Sequence, residues 1–324
     1  INGGGEVGRP FHVHPTESTI FPGVVIEQIS IVDSYAPAYA GADPINDLAA
    51  LAPCNGGGDD CSGGAIRNDG LLRLIMVTIM GNGSNGQGNG IINTTQGDLK
   101  IVGGYIAENI DMLGHGGGIL NGGMLSVRYS TFYRNSTDAG GGAISNFGGN
   151  VEATNVTFAE NSSAHFGSTI DNSSNGIVDL SFCTICDAMT DNLSPQKAAV
   201  YTADSTVQFK ECVITKAAGY PGDACMATGT GAIVAAGGNL DTDGTCTGFS
   251  LANVAAPGVT SSPAAPLLPN FPTPTCHLTV GSPAIDAATD LLDLDGNTID
   301  LDQRGIARPQ PVGGAADLGA FELQ

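Results

Sequence analysis

One motif returns along this chain at nearly constant spacing, and that limits the possible folds more than any other feature. Gly116 to Asn161 holds two near-copies, GGGILNGGMLSVRYSTFYRN and GGGAISNFGGNVEATNVTFAEN, which place Phe132 and Phe158, and Asn135 and Asn161, each 26 residues apart. With Phe132 as origin, apolar or small residues stand seven, five, two and no places before it. The same four slots recur from Val24, Ile26, Ile29 and Ile31 through to Val207, Phe209, Cys212 and Ile214. From Ile79 onward the origins Ile79, Ile106, Phe132, Phe158, Ile185 and Ile214 are separated by 27, 26, 26, 27 and 29 residues. A spacing of two within each pair is the period of a strand with one face inward, and the jump of three between pairs implies a bend. A further apolar strand precedes each origin, at Ile66, Ile92, Ile119, Ile144, Ile170 and Val200.

Repeats of this length that cannot bury an apolar face alone must stack. The expected fold is all-β: a right-handed parallel β-helix over residues 1–250, with about seven to eight coils of three strands each, because parallel crossovers take the right hand. A disulfide-closed insertion interrupts it at about 34–62. Residues 255–274, rich in Pro, Ala and Ser, read as an extended connector, so 251–324 forms an irregular C-terminal segment packing on the rod. Forty-eight glycines and no tryptophan suit many tight turns better than an aromatic core.

Two columns of asparagine mark the corners: Asn68, Asn93, Asn121, Asn146 and Asn172, and Asn82, Asn109, Asn135 and Asn161. Asparagine tolerates left-handed backbone, and stacked amides can hydrogen-bond from coil to coil. Seven N-x-S/T sequons, at Asn82, Asn93, Asn135, Asn155, Asn161, Asn172 and Asn192, largely coincide with these columns, so the repeat itself generates them.

A formal charge of −21 repels the phosphates of nucleic acid and anionic membranes. No run is long and apolar enough for a spanning helix. Eight cysteines favour disulfides and an oxidising compartment, and Ile1-Asn2-Gly3, opening in mid-pattern, reads as an exported chain in processed form. Cys54 would close a loop with Cys61, and Cys225 with Cys246 would bracket the last coil; Cys186 and Cys276 remain. Cys183 and Cys212 share one slot in successive coils, which fits either a disulfide or two buried thiols.

Several segments resemble known proteins. GGAIRN (63–68) and GGGAISN (140–146), with FYRN (132–135) and FAEN (158–161), look like the repeats of chlamydial polymorphic outer-membrane proteins. GGNLDTDGTC (237–246), TPTCHLTVGSPAIDA (273–287), DQRGIARP (302–309) and DLGAFE (317–322) resemble, in order, the end of bacterial choice-of-anchor Q proteins. That resemblance implies a secreted or surface-displayed right-handed β-helix with an anchoring signal, and no uniform activity. The chain departs from the pattern in having no sorting tail after Gln324.

Chemistry is sparse. Asp59-Asp60 and His115-Gly116 look superficially like hydrolase motifs, but sit in an insertion and at a corner. Lyase chemistry needs acids and a basic residue on one face, and Arg128 and Arg134 have no acidic cluster nearby in sequence. Asp293, Asp295, Asn297 and Asp300 offer alternating hard oxygens around Gly296, a candidate calcium site competing with a solvated acidic turn. His12 and His14 would share one strand face, as a metal pair or as two exposed polar residues. Asp302, Arg304 and Arg308 are expected to form ion pairs pinning the tail to the rod. No catalytic residue is assigned. The expected function is therefore an extracellular, non-catalytic adhesin or scaffold, self-associating through its rod ends into a fibre or binding a surface glycan. The alternatives are a polysaccharide lyase or hydrolase, and a calcium-dependent glycan-binding module.

Overall fold

A computed structural model of the chain describes residues 11–13, 24–32, 35–36, 64–84, 87–110, 114–190, 198–216, 219–260 and 273–324. Among these there is no helix, and parallel strands stack as a β-solenoid of about six turns. One sheet carries eight parallel strands, ordered Phe11–Val13, Ile66–Asn68, Ile91–Asn93, Ile119–Asn121, Ile144–Phe147, Ile170–Ser173, Ala198–Ala203 and Asp223–Thr228. A second, fourteen-stranded sheet wraps the remaining faces. Most of the 34–62 insertion, with Cys54, Cys61 and Asp59-Asp60, lies outside the described residues, as do His14, Asn192 and the middle of the connector.

The periodic slots meet as the repeat requires. Ile79, Ile106, Phe132, Phe158, Ile185 and Ile214 are cross-strand partners in succession, and all are buried. The rings of Phe132 and Phe158 stack with centroids 5.2 Å apart. Each such buried side chain contributes about 1.5–3 kcal/mol of apolar transfer, and one coil's residue forms the floor for the next.

The bend between slot pairs has a definite cause. The residue three places before each origin adopts a left-handed backbone: Gln28, Met76, Tyr129, Asn155, Phe182 and Glu211 have φ between 50 and 55°, and Gly103 has 68°. Left-handed backbone costs an L-residue energy, so these non-glycine residues are held there by the paired strands on either side. In Met124–Tyr133, Asn150–Ala159 and Thr206–Lys216 the strand continues through this corner, bent at the left-handed residue.

Two expectations need correction. The ladder asparagines are not themselves left-handed; next to the second column that conformation falls on the preceding Gly81, Glu108, Arg134 and Glu160. The asparagines act through their side chains. Asn68 donates to Asn93, Asn93 to Asn121, Asn121 to Asn146 and Asn146 to Asn172, at 2.7–2.9 Å. Asn82, Asn109 and Asn135 likewise donate to Asn109, Asn135 and Asn161 at 2.8–3.1 Å. In addition, Ile91 rather than Ile92 pairs with Ile66 and Ile119 and fills the core, so Ile92 points outward. Adjacent isoleucines hid a one-residue register choice that only pairing resolves.

The last turn is closed by residues 242–250. Cys246 bonds Cys225 with S–S 2.07 Å, and Phe249 meets Phe209 edge-on at 5.2 Å. The Asp241 carboxylate accepts the backbone N–H groups of Gly244, Cys246 and Asn253. Asp243 and Thr245 accept the N–H of Ala224, and Thr245 that of Cys225, on the outermost strand of the eight-stranded sheet. Cys183 and Cys212 are buried thiols rather than a disulfide; the Cys183 N–H donates to Cys212 Sγ at 3.4 Å. Burial pushes the Cys212 thiol pKa well up.

Residues 273–324 lie along the bent corner of the rod. Thr131 Oγ1 donates to the Pro274 carbonyl and accepts from Gln303 Nε2, Thr157 donates to Gln303 Oε1, and Ala320 N–H donates to Thr184. A small apolar cluster of Val213, Leu240, Leu278, Ala284, Leu318 and Phe321 seals this contact, and Cys186–Cys276 makes it covalent. The expected ion pairs do form, Arg304 with Asp302 and Arg308 with Glu322, but within the tail rather than across to the rod. Arg308 reaches the rod by a hydrogen bond to Asn155 Oδ1 at 3.2 Å and by lying 4.7 Å from the Phe182 ring centroid. Ion pairs do cross to the rod elsewhere, Lys210 with Asp290 at 3.0 Å and Arg128 with Asp293 at 3.7 Å, beside the neutral hydroxyl and amide contacts.

Candidate functional site

On the eight-stranded sheet the outward column runs Arg67, Ile92, Leu120, Ser145, Asp171 and Tyr201. Its second half is covered: Phe166 lies 5.1 Å from the Tyr201 ring, and Ser145 and Asp171 are buried. Its first half opens into a groove of about 670 Å³. Ile92 and Leu120 line its floor, and Arg67, Asp69, Gln87, Thr94, Thr95, Gln96, His115 and Phe147 surround them.

Unequal turns create this space. After Asn93 the chain inserts Thr94, Thr95 and Gln96 before Gly97, whereas after Asn121 it turns through Gly122-Gly123 alone. Gly123 has no room for a side chain, since a Cβ would come 2.2 Å from the Gly97 carbonyl oxygen and 2.3 Å from that of Thr94. One coil thus raises a wall, the next has no side chain, and the following one supplies Phe147, which is 60% exposed.

Arg67 and Asp69 are paired here, whereas the His115 ring is not hydrogen-bonded through Nδ1. Arg67 Nε donates to Asp69 Oδ2 at 2.8 Å, and Thr94 Oγ1 to Asp69 Oδ1 at 2.7 Å. His115 Nδ1 is buried without a hydrogen-bond partner, 3.5 Å from Asp171 Oδ2, which accepts from Ser145 Oγ at 3.5 Å. His115 is a corner residue in the sequence, and stacking brings it into the groove. Gln87, Gln96 and Phe147 carried no sequence motif. The signal that could have located them is the break in turn length between coils.

Arg128 has acids near it in space: it lines a cleft with Glu152, Asp179, Asp293 and Asp295, and its Nη2 lies 3.7 Å from Asp293 Oδ2. Burial, with the charges of Asp295 and Glu152, raises the Asp179 carboxyl above its ordinary value despite a hydrogen bond from Gln208. This cleft measures only about 10 Å³, room for a water rather than a sugar ring. Arg134 pairs with Glu160 at 2.7 Å.

The calcium candidates do not converge. Asp293 is buried, and its Oδ1 accepts the N–H groups of Asp295 and Asn297 while the Asn297 amide donates to both its oxygens. Its lone pairs hold the turn, while Asp295, Asn297 and Asp300 are exposed. Among the described residues no group of three or more His, Cys, Asp or Glu side chains is placed to hold a metal ion. No described helix is long and apolar enough to cross a membrane. No known protein-family model matches the chain, and no curated protein matches its sequence.

Proposed function

We propose that this chain is an extracellular, non-catalytic β-solenoid that works as an adhesin, with the groove holding its ligand and the rod serving as scaffold. The observation that carries this reading is the pairing within the groove: Asp69, the one carboxylate among the described residues lining it, is bound to Arg67 and Thr94. Acid–base catalysis would need a carboxyl and its partner both turned to the ligand. Two disulfides support an oxidising, exported setting. The same reading takes the rod as a right-handed helix with three strands per coil and about seven to eight coils in all. It takes the chain as a relative of the choice-of-anchor Q proteins, on the motifs at 237–246 and 273–322.

Purified chain should adhere to a surface displaying its ligand and release no unsaturated products or new reducing ends from polysaccharides, with or without calcium. Turnover of any polysaccharide would overturn the non-catalytic reading in favour of a lyase or hydrolase, for which the acids beside Arg128 are the specific support. Loss of adhesion on chelation would favour a calcium-dependent module built on Asp293. End-to-end assembly is expected through the opposite end of the rod, because Cys246, Phe249 and the Asp243–Thr245 acceptors cover the last coil at the C-terminal end.

A further inference from the structure

Resting on the adhesin reading, we infer that the groove takes a neutral, linear glycan lying along the rod axis, stacked at one end on Phe147. The lining residues Arg67, Ile92, Leu120 and Phe147 belong to four successive strands of the eight-stranded sheet, so the groove runs along the stacking direction. Three strand spacings amount to roughly 14 Å, the length of about three hexose units in an extended chain.

Neutrality follows from the charges. The chain carries −21, Arg67 is neutralised by Asp69 at 2.8 Å, and His115 is set against the buried Asp171 carboxylate. A uronate or sialate would thus enter a negative field with no unmatched cation among the lining groups. What the rim offers instead is neutral: the amides of Gln87 and Gln96 and the hydroxyl of Thr95, donors and acceptors suited to sugar hydroxyls. The exposed Phe147 ring provides a flat apolar surface for the C–H face of a pyranose, and half-buried Ile92 with nearly buried Leu120 makes an apolar floor beside it.

The groove has a natural plug position. A Cβ placed at Gly122 would meet Thr95 Cγ2 and N at 3.5 Å, ordinary contact, so a larger side chain fits there only by filling the groove.

The test is calorimetric titration of the whole chain with neutral and uronate oligosaccharides of two to six units, on wild type, Phe147→Ala and Gly122→Gln. Melting temperatures checked alongside should stay unchanged, since Phe147 is exposed and Gly122 has room. Affinity should rise with length to about the trimer and then level off, should favour neutral chains, and should fall about tenfold in Phe147→Ala for loss of one stacked ring. Gly122→Gln should abolish binding. Preference for uronates, or neutral-glycan binding indifferent to both substitutions, would overturn the inference. So would a basic peptide that binds with the same Phe147 dependence. Adhesion without affinity for any glycan would remove the inference and leave the adhesin reading standing; absence of both would remove the two together.

Discussion

Replacing Asn121 by alanine tests whether the buried amide ladder supports the rod as a connected unit. Asn121 is fully buried. Its Oδ1 accepts from Asn93 Nδ2 at 2.7 Å, and its Nδ2 donates to Asn146 Oδ1 at 2.8 Å and to the Gly123 carbonyl at 3.0 Å. Alanine removes both ladder bonds. Asn93 Nδ2 keeps the Met124 carbonyl at 2.9 Å, but Asn146 Oδ1 loses the ladder donor beneath it. A lost buried bond that strands its partner costs about 1–3 kcal/mol, so with one acceptor stranded the loss should be about 1–3 kcal/mol on bonds counted singly and larger if the ladder is cooperative, against the 5–15 kcal/mol typical of a domain. Asn68→Ala is the internal control. Asn68 gives one ladder bond, to Asn93, and accepts from the Gly70 N–H, so its loss strands Asn93 Oδ1 and that N–H, and on bonds counted singly should cost at least as much as Asn121→Ala. Asn121→Asp should be worse than alanine at neutral pH, because a carboxylate faces Asn146 Oδ1 and the Gly123 carbonyl, oxygen against oxygen. Equilibrium denaturation, followed by circular dichroism with hydrogen exchange across the neighbouring coils, measures each value. If Asn121→Ala costs no more than Asn68→Ala, the amides act singly and the idea of a cooperative ladder is wrong.

Three further outcomes are expected. Cys276→Ser opens a link spanning 90 residues and should cost the tail about 4 kcal/mol on loop-closure entropy; exchange protection should fall over 273–324 while the coils from Ile66 to Ile214 keep theirs. Asp179, whose carboxyl is raised by burial, binds its proton more tightly in the folded chain than in the unfolded one. Its contribution to stability is therefore greatest below the ordinary carboxylate range and is lost as pH rises through the raised value; Asp179→Asn should flatten this fall and raise the melting temperature most at pH 8, and an unchanged pH profile would refute the assignment. Folded material secreted from a glycosylating host should carry no glycan on Asn93, Asn135, Asn161 or Asn172, whose amides are buried in the ladders; peptide mapping that finds occupancy there would contradict the geometry.

The repeat made much of the architecture legible in advance. Periodicity alone paired Phe132 with Phe158 and aligned Asn121 with Asn146, because a solenoid turns a fixed sequence interval into a fixed neighbour in space. It was less informative wherever two residues competed for one slot, as Ile91 and Ile92 did, or where backbone and side chain of a corner divide the work, as Glu108 and Asn109 do. The groove depends on differences between coils, the three-residue wall after Asn93 beside the bare Gly122, and a reading built on what the coils share passes over such differences. The acids beside Arg128, the Thr131–Gln303–Thr157 strip and the nearness of His115 to Asp171 join residues far apart in the chain by no common interval. Sequence by itself determined the stack, its core column and its amide ladders, since those follow from local period and side-chain type. Only tertiary structure decided which outward side chains meet, where the tail lies and which thiols remain unbonded, because these depend on the relative placement of surfaces that no single repeat encodes.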